Sequence, residues 1–379
     1  MKKYVRLLVL LLIICNSCNV NTSKTLLFIG SFTEGVLSDG IYVYELDTTS
    51  GELTLLNTAE KLINPSFLKI APNGKYLYSV LESQLPNNGK VAAFAIDSLD
   101  GNLKLLNTQD SGGRNPAHLS IHQNEKYLVN SNYTDASFSV YKIKKDGELT
   151  PLDQIIKFKD SSIVKGRQDE AHIHSTNFSP DGKYLFAQDL GSDKIWNFEV
   201  QLDKEDTLNL LSNSFVKVKP GSGPRHFTFH PNGVFAYGIA ELSGSVTAYS
   251  YKNGALNFIE DYLTYNNKQN VYRAADIHIS PDGKFLYASN RGPDEDSIAI
   301  YSIDEKTGKL VLQGHQDTFG EHPRNFAIDP SGNFLLVANQ FTDNVVVFRR
   351  NIKTGKLKKL PKELTISNPS CLVFKSYGR

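Results

Sequence analysis

Residues 280–287, SPDGKFLY, read as a Pro-Asp-Gly turn that opens onto a strand of alternating aromatic and aliphatic side chains. The same phrase returns as APNGKYLY (71–78), HQNEKYLV (122–129), SPDGKYLF (179–186), HPNGVFAY (230–237) and DPSGNFLL (329–336). Measured at the first aromatic (positions 76, 127, 184, 235, 285 and 334), the copies recur every 49 to 57 residues. A strand precedes each copy: NPSFLKI (64–70), NPAHLSI (115–121), HIHSTNF (172–178), GPRHFTF (223–229), RAADIHI (273–279) and HPRNFAI (322–328). A third strand follows, such as SIAIYSI (297–303) or NVVVFRR (344–350), then a Gly-containing turn and a short fourth strand such as GKLKKL (355–360).

Four short strands per unit with two-residue alternation describe the blade of a β-propeller. The ends supply one further unit. NPSCLVF (368–374) is a first strand with nothing after it, whereas TLLFIGSF (25–32), GIYVYEL (40–46) and GELTLL (51–56) are strands two to four with no first. Pairing these fragments closes an all-β ring of seven blades and removes the open sheet edges. The predicted domain therefore spans residues 25–379.

Composition agrees with a globular fold. The chain has 379 residues, 40% of them hydrophobic, and 41 basic against 40 acidic side chains leave a formal charge of +1. That balance argues against a nucleic-acid binder and against an acidic disordered chain. Length alone allows two or three domains, or one closed β domain.

Residues 1–18 (MKKYVRLLVLLLIICNSC) form a signal sequence, with Lys2, Lys3 and Arg6 ahead of the apolar run Leu7–Ile14, which is too short to span a bilayer. Ser17-Cys18 resembles the end of a bacterial lipobox, in which the Cys is lipidated, although Cys15 three positions earlier is atypical. The expectation is export and a lipid anchor at Cys18, the only membrane attachment, with residues 19–24 as a tether. Cleavage without lipidation would leave the protein periplasmic. Either way Cys371 is read as a small buried hydrophobe, and no internal disulfide is expected. The expected state is a monomer.

Aligning the repeats compares equivalent positions. The third residue of the first strand is Ser66, Ala117, His174, Arg225, Ala275, Arg324 and Ser370 around the ring, and the next is Phe67, His118, Ser175, His226, Asp276, Asn325 and Cys371. The far end of strand two returns to the same mouth with Asn132-Tyr133, Asp189-Leu190, Ala240-Glu241, Asn290-Arg291 and Asn339-Gln340. His118, His172, His174, His226 and His278 thus gather with Arg225, Arg291 and Arg324 and with Glu82, Asp189, Glu241 and Asp276. Forked guanidinium groups suit a carboxylate or phosphate, and imidazole beside carboxylate supplies acid and base. This polar mouth is expected to carry little packing, so substitutions there should cost little stability. His172-x-His174 could hold a metal only with a third ligand, for which His118 or Asp276 could serve, and no metal is assigned. No G-x-S-x-G elbow or phosphate-binding loop is present, and one Trp with no C-x-x-C-H argues against a quinone or haem cofactor. No cofactor is expected.

The segments PGSGPRHFTFHPNG (220–233), AELSGSVTAY (240–249), HISPDGKFLYASNRG (278–292), PRNFAIDPSGNFLLVANQ (323–340) and DNVVVFRR (343–350) resemble the seven-bladed propeller lactonases. That family includes the propeller type of 6-phosphogluconolactonase and the fungal 3-carboxy-cis,cis-muconate cyclase. The resemblance runs from about residue 25 to the C-terminus. It implies opening, or cyclisation, of an anionic sugar-type lactone, with catalytic residues on His174 (or His172), Arg225, Glu241 and Arg291. Arg225 and Arg291 would clamp the anion and stabilise the oxyanion, while Glu241 or His174 would move the proton, the order being open. His118, His172, His226, Asp276, His278, Arg324, Asn339 and Gln340 are the candidate substrate-binding residues. Two departures from the family pattern are Ala240 in place of Asn, and Asp276 in place of Glu. The alternative is a non-catalytic propeller that grips a glycan or protein partner at the cell envelope.

Overall fold

The computed structural model describes residues 23–378 apart from 37, 83–85 and 203–207; the signal sequence, Cys18 and most of the tether lie outside the described residues. Seven four-stranded antiparallel sheets make up the ring. Blade 1 combines Pro369–Tyr377 as its inner strand with Lys24–Ser31, Gly40–Leu46 and Leu53–Glu60. Blades 2 to 7 then follow in chain order, their inner strands being Leu68–Ile70, Pro116–Ile121, Ile173–Phe178, Pro224–Phe229, Ala274–Ile279 and Pro323–Ile328. The expected closure is present: Lys24–Ser31 pairs antiparallel with Pro369–Tyr377 from Lys24↔Tyr377 to Ser31↔Pro369.

The repeated aromatic has a physical cause. In each of five described cases it covers the glycine of the turn between strands three and four of the next blade: Tyr76 on Gly147, Tyr184 on Gly254, Phe235 on Gly308, Phe285 on Gly355 and Phe334 on Gly51. A Cβ at Gly51 would come within 2.5 Å of the Phe334 ring, and φ of +85° there is a left-handed conformation open chiefly to glycine. Two residues on, a second row of tyrosines reaches the same turns: the hydroxyls of Tyr78, Tyr237 and Tyr287 donate to the carbonyls of Gly147, Gly308 and Gly355 at 3.0, 2.9 and 2.8 Å. The turn motif is therefore legible because it is the joint between blades. At the closure, Leu27, Ile29 and Leu372 of blade 1 pack with Phe334, Leu336 and Val345 of blade 7, all buried. Burying one such side chain contributes roughly 2 to 3 kcal/mol, so these contacts hold the ring shut.

One irregularity positions the site. The pairing of strands one and two slips between Pro116 and His118, Ile173 and Ser175, Pro224 and His226, Ala274 and Ile277, and Pro323 and Asn325. The residues passed over include Ala117, His174, Arg225, Ala275 and Arg324, which are the row aligned from the sequence. A β-bulge unpairs a residue and re-aims its side chain, here toward the axis at the mouth. In blade 4 the bulge is tied to its neighbour, since Ser175 Oγ lies 2.7 Å from the Arg225 carbonyl oxygen and donates to it.

Candidate active site

Arg225 stands on the bulge of blade 5, Glu241 just beyond the end of strand two of that blade, Arg291 at the equivalent place in blade 6, and His174 on the bulge of blade 4. Glu241 is the centre. Its Oε2 accepts from Arg291 Nη2 at 2.8 Å and lies 3.1 Å from Arg225 Nε, and its Oε1 accepts from Arg167 Nη2 at 2.6 Å. The Arg225 Nε contact is an ion pair whose angle does not make a hydrogen bond. Arg225 and Arg291 carry further anchors: Arg225 Nη1 donates to the Ala275 carbonyl at 2.5 Å, and Arg291 Nε to that of Arg273 at 3.1 Å.

Burial decides the energetics. Arg225, Arg291 and Glu241 are 2%, 5% and 7% exposed. The expectation that substitutions here would cost little stability is overturned, because these ions are desolvated and compensated chiefly by one another. Burial pushes the Glu241 carboxyl upward, but Arg291, Arg225 and Arg167 outweigh it and hold it well below the usual carboxylate range. Glu241 is therefore an ionised, fully engaged counterion and a weak base.

His174 is different. It is buried, and its Nδ1 has no partner. Burial and then the charges of Arg225, His226, Arg324 and Arg291 push its pKa well below the ordinary value, so it is neutral at neutral pH. Tyr133 faces it edge-on at 5.6 Å and stacks on His172 at 4.4 Å. His172 donates through Nδ1 to the Tyr133 carbonyl, 3.1 Å away.

One residue further along the inner strands, three rings cluster as a plug. The rings of His118 and His226 lie 5.5 Å apart, with Phe67 at 4.4 Å from His118. His226 Nδ1 donates to Asp276 Oδ1 at 2.7 Å, which leaves Nε2 to face Arg225 Nη1 at 3.4 Å. The other Asp276 oxygen accepts from His278 Nε2 at 2.9 Å and from Asn325 Nδ2 at 2.5 Å. Asp276 thus fixes the His226 tautomer that meets Arg225. Burial and then Arg225 lower the His226 pKa to about 4, Asp276 opposing.

Not every candidate faces the mouth. His278 lies two residues further along its strand, below the plug, against Asp276 and Phe326. Asn339 is fully buried, its Nδ2 donating to the Thr318 carbonyl at 3.0 Å and its Oδ1 without a partner. Gln340 has its Oε1 buried without a partner. His118 and His226 belong to the plug. Arg324 lies at the mouth over the Phe32 ring. Cys371 is buried as expected, and burial pushes its thiol up to about 12.

Two groups escaped the sequence reading. Arg167 comes from the connection between blades 3 and 4, which has no counterpart in the repeat, and His322 stands 3.3 Å from Arg291 Nη1 and stacks on Phe341 at 4.0 Å. The only sequence signal for Arg167 is the length of chain between the short strand Gln154–Lys157 and Ile173. Among the described residues no three His, Cys, Asp or Glu side chains form a group that could hold a metal ion.

Comparison with known proteins agrees with this architecture. Residues 26–374 match the family described as "Lactonase, 7-bladed beta-propeller". The chain belongs to that family. The lactonase match includes a 6-phosphogluconolactonase of Formosa agariphila, 58% identical over 93% of this chain and 100% of that protein. A putative 6-phosphogluconolactonase of Bacteroides fragilis superposes with a TM-score of 0.88 at 39% identity, covering 94% of this chain and 99% of that one. A periplasmic gluconolactonase of Pseudomonas aeruginosa superposes at 0.87 with 34% identity over 93% and 99%. Membership places this lactonase among lactone-hydrolysing enzymes.

Proposed function

We propose that the mouth hydrolyses an anionic sugar lactone, with His174 as the base. The observation that carries the reading is the division of labour between His174 and Glu241. Glu241 has both oxygens bound by guanidinium groups and its basicity suppressed, whereas His174 is neutral with a free ring nitrogen. A positioned imidazole accelerates proton transfer by about 10²- to 10⁴-fold.

In this mechanism His174 takes a proton from water as its oxygen bonds to the lactone carbonyl carbon. The carbonyl oxygen becomes an oxyanion, which the outward N–H groups of Arg225 and Arg291 stabilise; Glu241 and the His226–Asp276 pair hold those forks in place. The ring C–O bond then breaks, the leaving alkoxide recovers the proton from His174, and the product is a hydroxy acid. Bound substrate anion offsets the guanidinium charges that depress His174 and so makes it a stronger base when it is needed.

Four guanidinium groups at a mouth with two carboxylates, Glu241 and Glu82, favour a negatively charged substrate, which agrees with the relatives named 6-phosphogluconolactonase. The signal sequence and the periplasmic gluconolactonase relative support an exported enzyme, lipid-anchored at Cys18, whose substrate is an acidic lactone of the envelope. The test is a panel of phosphorylated, carboxylated and neutral sugar lactones, scored by proton release above the spontaneous rate. Saturable turnover with preference for an anionic member is expected. No turnover on any member would leave only the binding propeller.

A further inference from the structure

The four mouth arginines are not equivalent. Arg167, Arg225 and Arg291 all bind Glu241, and Arg225 and Arg291 have backbone acceptors as well. Arg324 has neither a hydrogen bond nor an ion pair to any described residue. Its guanidinium carbon lies 5.2 Å from the centre of the Phe32 ring, which supports one face of the fork and leaves its N–H edge uncommitted. Glu82 feels the charge of Arg324 without pairing with it: its Oε2 accepts from Ser66 Oγ at 2.7 Å, and burial pushes its pKa up against the opposing charge of Arg324.

Arg324 also shares a cavity with His174, whose buried Nδ1 is unpartnered; Arg225, Ser66 and Ser370 complete the near wall. The cavity is small, so it is the floor beneath a ligand and not a chamber that swallows one. Arg324 is half-buried and has no protein acceptor, and a bidentate oxyanion is the ligand that its geometry fits.

We propose that Arg324 is the specificity residue for the substrate's permanent anionic group, a phosphate or carboxylate remote from the lactone carbonyl. This rests on the lactonase reading of the mouth and refines it. Arg225 and Arg291, locked to Glu241, serve the charge that develops at the carbonyl, and Arg324 binds the charge that the substrate brings. The two halves of the mouth then set orientation: the anion on blade 7 and the scissile ester over blades 4 to 6, beside His174.

The experiment compares wild type with Arg324→Gln and Arg324→Lys on a 6-phosphorylated gluconolactone, a carboxylated lactone and neutral glucono-1,5-lactone. The readout is the ratio of kcat/KM for the anionic lactone to that for the neutral one. Loss of a charge-assisted bidentate contact should lower this ratio about 10- to 100-fold in Arg324→Gln, through KM, and less in Arg324→Lys, which keeps the charge without the fork. Whichever anionic arm collapses identifies phosphate or carboxylate as the group bound. A ratio unchanged in both arms would overturn the assignment, because every substrate would then be affected alike. If wild type opens no lactone, the catalytic reading fails by itself, and calorimetric titration with inorganic phosphate still decides this one. Weaker binding to Arg324→Gln than to wild type supports it, and equal binding refutes it. Melting curves of the variants establish that each is folded.

Discussion

Replacing Glu241 by Gln removes one charge and almost no volume. Three guanidinium groups lose their counterion, but they do not count equally. The Arg167 side chain is 40% exposed, so its pairing is screened and contributes about 1 kcal/mol or less. Arg225 and Arg291 are 2% and 5% exposed and cannot recruit water in exchange. Breaking a buried pair of this kind costs about 3 to 5 kcal/mol. With an unfolding entropy near 0.8 kcal/mol per kelvin for a chain of 379 residues, the melting temperature should fall by about 4 to 6 °C. The same change frees the two forks that face the reacting carbonyl, so kcat/KM should fall by about 10²- to 10³-fold. Thermal melts monitored by circular dichroism, paired with pH-stat rates on the same preparation, measure both. A melting point within 1 °C of wild type would refute the argument that Glu241 neutralises buried cations, whatever the rate did.

Acid should destabilise the protein well before its ordinary carboxylates titrate. The folded pKa of His226 is lowered to about 4 from 6.5, so between these values the unfolded chain binds a proton that the folded one refuses. Stability is then complete above pH 6.5 and falls with pH down to about 4, by about 3 kcal/mol for this residue alone, with His174 and His118 acting in the same direction. A melting temperature independent of pH between 7 and 5 would contradict this. Gly51→Ala forces a Cβ against Phe334 at positive φ and should cost about 2 to 4 kcal/mol, while folded molecules keep their specific activity because the turn lies on the face away from the mouth. An unchanged melt would show that the aromatic-on-glycine joint does not hold the blades. Arg167→Ala should lower kcat/KM about 10-fold with a melting shift of about 1 °C; a loss of folding equal to that of Glu241→Gln would assign it a structural role.

The ring was legible because its joints are chemical and periodic. Tyr76, Tyr184, Phe235, Phe285 and Phe334 must be flat to cover a glycine in the neighbouring turn, so each unit displays the same residues at the same spacing. Register followed, and with it the row His174, Arg225 and Arg324, since in blades 3 to 7 the bulge falls at the same place on the inner strand. What stayed hidden does not repeat. Arg167 belongs to a connection that only one blade has, and alignment between blades says nothing of it. Depth was hidden as well: polar letters at a channel mouth look solvated, yet Arg225 is among the most buried side chains of the fold because Ala275 and Glu241 take the place of water. Alignment gives the position along a strand but not what each side chain meets: His278 turns to Asp276 and Phe326, and Asn339 to the Thr318 carbonyl.

Proton release by purified protein given a 6-phosphorylated glucono-lactone is the most direct test, set beside His174→Asn, which removes the base and leaves the Glu241 cluster intact. A saturable wild-type rate that drops at least 100-fold in the variant, at an unaltered fold, is the outcome foreseen. A wild-type rate no greater than spontaneous opening, or a variant as fast as wild type, would contradict it.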